Sequence, residues 1–199
     1  MMFVLKKNLE EALSLIFIKM NKDLSRVVEI PEGVTVTLEG NKITVKGNEK
    51  ELSKTMNLYK INFKIDGGLV TISAKGATRR ESKMIGTIHA HLKNMIKGVF
   101  EDFIYTLEIC NVHFPMNVKV NGNKVIIKSF LGETTERTSK ILDNVKVDIN
   151  GSKIIVSSLN IEAAGQTAAN LEKATKLTGR DRRIFQDGIF ITNKCGRAI

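Results

Sequence analysis

Four stretches of the chain alternate apolar and polar residues with a period of two, and each reverses direction at a tight group of Gly, Asn or Asp. Alternation around such a turn is typical of a β-hairpin that buries one face. The chain is therefore predicted to fold largely into small antiparallel sheets. The turns are Gly40-Asn41, Asp66-Gly67-Gly68, Asn121-Gly122 and Asn150-Gly151.

The hairpins form two matched sets along the chain. The two prolines, Pro31 and Pro115, are 84 residues apart, and each precedes the first hairpin of a set. The glycines that turn the second hairpins, Gly67 and Gly151, are separated by the same 84 residues. A repeated offset of this kind indicates a duplicated unit of roughly 80 to 85 residues.

A segment with helical periodicity follows each pair of hairpins. In the first copy Thr78 and Glu81 have the spacing of a capping box, and Gly98 is placed to end the helix. In the second copy Gly179 supplies the stop. The apolar stripes consist of Ile85, Ile88, Leu92 and Met95 in the first helix and of Ile161, Ala164, Ala168 and Leu171 in the second.

These elements predict an α+β protein made of two tandem copies of a small antiparallel β-sheet domain, each packed by one main α-helix. The expected repeats are residues 25–108 and 109–199. Residues 1–24 are predicted to form an amphipathic helical extension, with Met20 as an alternative natural initiator. The longest apolar run in this extension, Leu13–Ile18, is too short for a bilayer span of about 20 residues, so no membrane partner is expected.

Basic residues outnumber acidic ones and collect in two blocks. The chain has 31 Lys and Arg against 21 Asp and Glu, a net charge of +10. Residues 75–97 hold six Lys or Arg and one Glu, and residues 173–183 hold five and one Asp. A charge run is often only a solvated helix face, but this excess favours a polyanionic partner, and nucleic acid in particular.

The sequence contains no pattern that indicates catalysis, a metal or a cofactor. The 15 glycines do not form a dinucleotide fingerprint, a Walker loop or a GxxG clamp. Cys110 and His113 offer only two metal ligands and are interpreted as an ordinary thiol and a surface imidazole. Asp181 and Asp187 are interpreted as solvated carboxylates. We therefore expect no enzyme activity, metal, cofactor or small-molecule substrate.

The mode of nucleic-acid binding is partly predictable. The sequence lacks the aromatic pattern of an RNA-recognition motif, and its 11 Phe and Tyr fall mostly at apolar strand or helix positions, so they are assigned to the core. Lys and Arg contacts to the phosphates and shallow groove of folded RNA are predicted instead. Two alternatives stay open: a free RNA-binding or assembly factor, and a protein adaptor whose sheet edges pair with partners.

Four motifs carry a resemblance to one known family. They are NMIKGV at residues 94–99, HFP at 113–115, FLGE at 130–133 and RRIFQDGIFI at 182–191. Over about residues 21–194 this combination is similar to the family of the sixth protein of the large ribosomal subunit, which eukaryotic nomenclature counts as the ninth. HFP followed by FLGE resembles the archaeal and eukaryotic branch of that family.

The resemblance implies a non-enzymatic structural protein that binds large-subunit rRNA beside the translation-factor site, near the sarcin-ricin loop. Much of the contact would be made by the second repeat. Neighbouring ribosomal proteins and nearby translation factors are implied as partners. The implied location is cytoplasmic, in the large ribosomal subunit, with assembly in the nucleolus if the source is eukaryotic.

The family's basic pattern after the second helix falls on residues 176–185. The resemblance implies that Arg180 and Arg183 contact phosphate, that Asp181 is a local cap or ion-pair partner, and that Phe185 is a packing anchor. Gly86 stands where the family typically has Arg. The full set of expected rRNA-binding residues is Arg79, Arg80, Lys83, Lys97, Lys176, Arg180, Arg182, Arg183 and Lys194. The expected turn or packing residues are Gly98, Gly132, Asp181, Phe185 and Gly188.

Overall fold

A computed structural model describes residues 22–47 and 50–199. The helical extension predicted for residues 1–24 lies outside this range except at its last three residues. Those residues open the first strand, β1, which runs from Lys22 to Glu29.

The chain divides into two compact units, and the division falls between Val99 and Phe100. The boundary predicted at residues 108 and 109 is corrected accordingly. The reason is strand β7 (Phe103–Cys110), which pairs with two strands of the second unit and belongs to its sheet. Such a boundary depends on which strands pair with each other. The repeat pattern does not reveal pairing between strands that are distant along the chain.

Within residues 22–47 and 50–99, the structure describes two three-stranded antiparallel sheets and one helix in the first unit. The sheet orders are β1-β6-β5 and β2-β3-β4. Ile43, Val70 and Leu92 come from the two sheets and the helix and belong to one fully buried core cluster. The elements are β2 (Val34–Glu39), β3 (Lys42–Gly47), β4 (Lys50–Thr55), β5 (Asn62–Asp66), β6 (Leu69–Ala77) and α1 (Arg79–Phe100).

The second unit contains a three-stranded sheet, β10-β9-β8, and a five-stranded sheet, β11-β12-β7-β13-β14. Helix α2 contributes Ala164, Ala168 and Leu171 to the core between these elements. The two tandem units therefore confirm the predicted α+β class. The elements after β7 are β8 (Asn117–Asn121), β9 (Lys124–Lys128), a 3₁₀ turn (Phe130–Gly132), β10 (Arg137–Lys140), β11 (Val145–Asn150), β12 (Lys153–Ser158), α2 (Ile161–Ala174), β13 (Gly188–Lys194) and β14 (Arg197–Ala198).

All four predicted hairpins are present, and each closes through a two-residue turn. The first turn residue is always a glycine with positive φ: +60° at Gly40, +51° at Gly67, +56° at Gly122 and +61° at Gly151. Positive φ at this position is what type I′ and II′ hairpin turns require. In the second unit the turns lie one residue later than predicted, because Asn121 and Asn150 are the last paired residues of their strands.

The structure agrees with the capping box predicted at Thr78 but not with the helix ends predicted at Gly98 and Gly179. The backbone N–H of Thr78 donates to Glu81 Oε2 over 2.9 Å, as the capping-box spacing predicts. Gly98, however, is a buried residue inside α1, which continues to Phe100. Gly179 lies in the loop beyond α2, which ends at Ala174 with Thr175 as its C-terminal cap. Both predicted stops are therefore wrong, since tertiary packing extends or shortens a helix relative to its local signals.

Leu92 and Lys93 provide a matched test of the first core. Leu92 is fully buried and its neighbour Lys93 is exposed on the same helix. Leu92→Ala is expected to lower the free energy of unfolding by about 2–5 kcal/mol, because it removes buried apolar contacts and leaves a cavity. Lys93→Ala should change it by less than about 0.5 kcal/mol. Urea unfolding followed by circular dichroism measures both, and equal effects would contradict this assignment of the core.

Candidate nucleic-acid interface

Helix α1 carries its cations on the side opposite the core. Arg79, Lys83, Lys93 and Lys97 are exposed, and at 3.6 residues per turn they fall within about 80° of arc. We call these four residues the helix stripe. Arg80 is exposed to one side of the stripe. The buried residues of α1 face the other way, so the helix presents a straight row of positive charge to solvent.

Gly86 interrupts the helix stripe at its middle, and a cation from another element lies above it. The guanidinium Nη1 of Arg26, from strand β1, is 4.0 Å from the position that a Cβ would occupy at Gly86. Arg26 is exposed. Arg26 therefore supplies positive charge at the gap that Gly86 leaves in the helix stripe. Sequence reasoning missed this residue because the proximity of a strand to a helix has no local signal in the sequence.

The second group of cations lies between α2 and β13. We call residues 176–186 the basic segment. Lys176, Arg180, Arg182 and Arg183 are all exposed within it. The predicted contacts of the second repeat are therefore brought together, with the exception of Lys194. Lys194 is the last residue of β13, six residues and about 20 Å from Gly188 at its start. There it pairs with Arg197 of β14.

The centre of the basic segment is a tight turn built on Asp181. Asp181 Oδ1 accepts hydrogen bonds from the backbone N–H of Arg183 at 2.9 Å and from its Nε at 3.3 Å. The carbonyl oxygen of Asp181 accepts from the N–H of Phe185 at 3.0 Å. Asp181 therefore combines a local turn with an ion pair to Arg183. It orients the backbone while the Arg183 side chain stays 91% exposed.

Phe185 packs between a cation and an imidazole. The guanidinium of Arg180 lies 4.9 Å from the centre of the Phe185 ring, within the range of a cation–π contact. On the same ring, His113 packs with centroids 5.2 Å apart and planes inclined by 34°. Phe185 thus limits the directions that Arg180 can take.

The end of the basic segment is held by a buried carboxylate. Asp187 is 2% exposed, and its Oδ2 accepts from His113 Nδ1 at 2.6 Å. Asp187 Oδ1 accepts from the N–H groups of Val112 and His113. Burial acts to raise the pKa of Asp187, but the hydrogen bonds donated by His113 and Val112 outweigh it and hold that pKa below its ordinary value of 3.8. The interpretation of Asp187 as a solvated carboxylate was wrong, whereas His113 is exposed as expected and in addition donates to Asp187.

The start of the basic segment is held by Arg137, which sequence reasoning also missed. Its Nη1 donates to the carbonyl oxygen of Ala174, at the end of α2, at 3.0 Å and to that of Lys176 at 3.4 Å. Its Nε and Nη2 bind Glu133 in a bidentate pair at 2.8 and 2.7 Å. These hydrogen bonds from Arg137 are the main cause of a lowered pKa at Glu133, with a smaller contribution from the charge of Arg180.

The FLGE motif shapes the support for Arg137. Phe130 is buried, and the Arg137 guanidinium lies 4.3 Å from its ring centre. Ser129, Leu131 and Gly132 all have positive φ, which turns the chain sharply around Phe130. A motif matched only by sequence similarity therefore acts as the platform for the residue that caps α2.

Two of the predicted packing glycines have different structural reasons, a close neighbour at Gly188 and a positive φ at Gly132. A Cβ at Gly188 would lie 3.0 Å from Cζ of Phe190, so a larger residue would displace that ring. At Gly132, with φ of +75°, the ring of Phe114 lies 3.8 Å from the Cβ position. Phe114 and Phe190 are 51% and 43% exposed, so the assignment of aromatic residues to the core fails at both.

Within residues 22–47 and 50–199, no three His, Cys, Asp or Glu side chains are grouped so that they could hold a metal ion. No helix in these same ranges is long and apolar enough to cross a bilayer.

Comparison with known proteins identifies clear relatives. A model of the family described as Ribosomal protein L6 matches residues 30–102 and 114–188. The chain is also 45% identical over 172 residues to the large ribosomal subunit protein uL6 of Methanococcus vannielii. That alignment covers 86% of this chain and 94% of the relative. The two matched ranges follow the duplication that the hairpins and helices display.

Asp187→Asn tests the anchor of the basic segment. Asn cannot accept all three hydrogen bonds as a carboxylate does, so we expect a loss of about 1–3 kcal/mol in the free energy of unfolding at pH 7. Because the pKa of Asp187 is lowered in the folded state, its contribution is complete above the ordinary value of 3.8 and disappears as pH falls through the folded value. The deficit of the variant should therefore shrink in strong acid.

Urea unfolding at pH 7 and at progressively lower pH measures this dependence. Asp148→Asn, at an exposed position of β11, is the matched control and should behave as the wild type does. A deficit of the same size at every pH would contradict the assigned role of the Asp187 carboxylate.

Proposed function

The chain belongs to the ribosomal protein L6 family, in its archaeal and eukaryotic branch, and we propose that its second unit binds large-subunit rRNA through the basic segment, beside the translation-factor site and near the sarcin-ricin loop. This family is a structural, non-enzymatic component of the large ribosomal subunit, so the predictions of family and of no enzyme activity are confirmed. The residues that contact rRNA, and their place on the subunit, belong to the proposal.

The proposal rests on one observation, the rigid presentation of cations by the basic segment. Arg180 and Arg183 project into solvent from a backbone held at its start by Arg137 and at its end by Asp187. Arg binds phosphate in a planar bidentate geometry, and a prepositioned Arg loses less conformational entropy on binding. Such an arrangement suits a folded RNA whose phosphates have fixed positions.

The helix stripe supplies a second phosphate-binding surface, on the first unit. Its cations are spaced along α1, and Arg26 adds charge at the gap left by Gly86. We assign it a supporting role because its residues are solvated along their length, whereas the basic segment is held by buried partners. Translation factors and neighbouring ribosomal proteins are proposed as further contacts in the assembled subunit.

The alternative of a free RNA-binding or assembly factor is less well supported. The 45% identity extends over 94% of a relative named as a large-subunit protein, with no large region of the relative left unmatched. The protein-adaptor alternative does not account for the clustered Arg residues of the basic segment.

Replacing Arg180 and Arg183 together by Ala tests the phosphate contacts. We expect weaker rRNA binding regardless of RNA sequence, and a log–log salt slope lower by about two units, because two counterion-releasing contacts are lost. Lys146→Ala with Lys153→Ala removes two exposed charges on β11 and β12 and is the matched control. Filter binding across a salt series measures the slope, and an unchanged slope in the Arg variant would show that these side chains do not touch phosphate.

The location on the subunit is tested by hydroxyl-radical footprinting. Large subunits assembled with the chain should show protection of the sarcin-ricin loop region compared with subunits assembled without it. The Arg180→Ala, Arg183→Ala chain should lose part of that protection. Protection confined to rRNA remote from this region would rule out the proposed location.

A further inference from the structure

A cavity of about 600 Å³ lies beside the basic segment in the second unit. Its walls come from the last turn of α2, the end of β7, the basic segment and the start of β13. This volume is in the range of sites that hold an organic ligand rather than a single ion. The cavity therefore has room for one nucleotide.

Apolar and aromatic side chains form part of the cavity wall. Phe185, Phe190 and Val112 line the cavity. Val112 is 68% exposed and Phe190 is 43% exposed, so both offer apolar surface that the core of the unit does not use. A Cβ at residue 188 would come within 3.0 Å of the Phe190 ring, so glycine there leaves the ring its observed position without a shift.

Cations surround these apolar walls. Lys173, Lys176 and Arg182 line the cavity, together with the carboxylates of Glu172 and Asp187. Both oxygens of Asp187 already accept hydrogen bonds from Val112 and His113, so this carboxylate is satisfied within the protein. Three cations against two carboxylates leave the lining with a formal net charge of +1, which favours an anionic ligand.

We propose that this cavity receives the base of one unpaired rRNA nucleotide, with the adjoining phosphates on Lys173, Lys176 and Arg182. The inference rests on the rRNA binding proposed above and names the part of the RNA that enters the protein. Aromatic walls stack with a base of any sequence, and nearby Lys and Arg hold its phosphates. The side-chain amide of Gln186, on the same wall, has both a donor and an acceptor for the edge of the base.

Other occupants fit this combination less well. An apolar anchor from a protein would cover the rings but leave three cations without a counter-charge. A free phosphate would meet the cations but leave the rings in water. A paired base cannot enter a concave site without leaving its helix, so the nucleotide must come from a loop, a bulge or another unpaired position.

Zero-length ultraviolet crosslinking in assembled large subunits tests the proposal. After irradiation and digestion, mass spectrometry should find nucleotide adducts on the cavity wall, at Phe190 or within Cys110–Val112. Ala169→Leu places a larger side chain into the cavity from an exposed position of α2. It should lower the wall adducts by about tenfold, the effect expected when one stacked base is lost, and leave adducts on residues 180–183 unchanged.

Gln166→Leu is the matched control, because it adds the same side chain one turn earlier on α2, outside the cavity. It should leave both sets of adducts intact. Adducts on residues 180–183 without any on the wall of the wild-type chain would overturn the cavity inference alone. The absence of adducts from both regions would overturn the proposed function as well. Wall crosslinks to another protein would assign the cavity to a protein partner and overturn the inference.

Discussion

The second unit depends on one buried carboxylate that joins distant parts of the chain. Asp187 accepts hydrogen bonds from Val112 and His113, which precede it by 75 and 74 residues. A buried carboxylate without partners is very costly, so this contact and the fold around it form together. It fixes the point where β13 begins and the point where the basic segment ends. The HFP and RRIFQDGIFI motifs therefore meet at a single group.

Hydrogen bonds to the backbone also hold the exposed basic segment in one conformation. Arg137 holds its start by capping the last carbonyl oxygens of α2, and the Asp181 turn shapes its middle. The Arg183 side chain stays exposed although its Nε binds Asp181, and the exposed Arg180 places its guanidinium over the Phe185 ring. Because the backbone of the basic segment is already held in one conformation while its cations are exposed, binding a rigid partner costs less conformational entropy.

The two units share a plan but present charge in different ways. In the first, the helix itself is the rigid support, and the helix stripe follows from residue spacing alone. In the second, α2 ends before most of the cations, and the support comes from long-range contacts of Asp187 and Arg137. Duplication has preserved the hairpins and helices, while the basic surfaces have become distinct.

The sequence by itself determined the duplication, the four hairpins, the capping box at Thr78 and the two basic blocks, because each of these depends on residues close together in the chain. Helix stops were predicted wrongly at Gly98 and Gly179, and the boundary was displaced by nine residues, because packing and strand pairing override weak local signals. Tertiary structure alone decided the partners of Asp187, the position of Arg137 and the cavity. The hydrogen bonds of Asp187 and those of Arg137 to the end of α2 join residues 37 to 75 positions apart, and the cavity lining runs from Cys110 to Phe190. No periodicity or motif spacing records which distant side chains the folded backbone brings together.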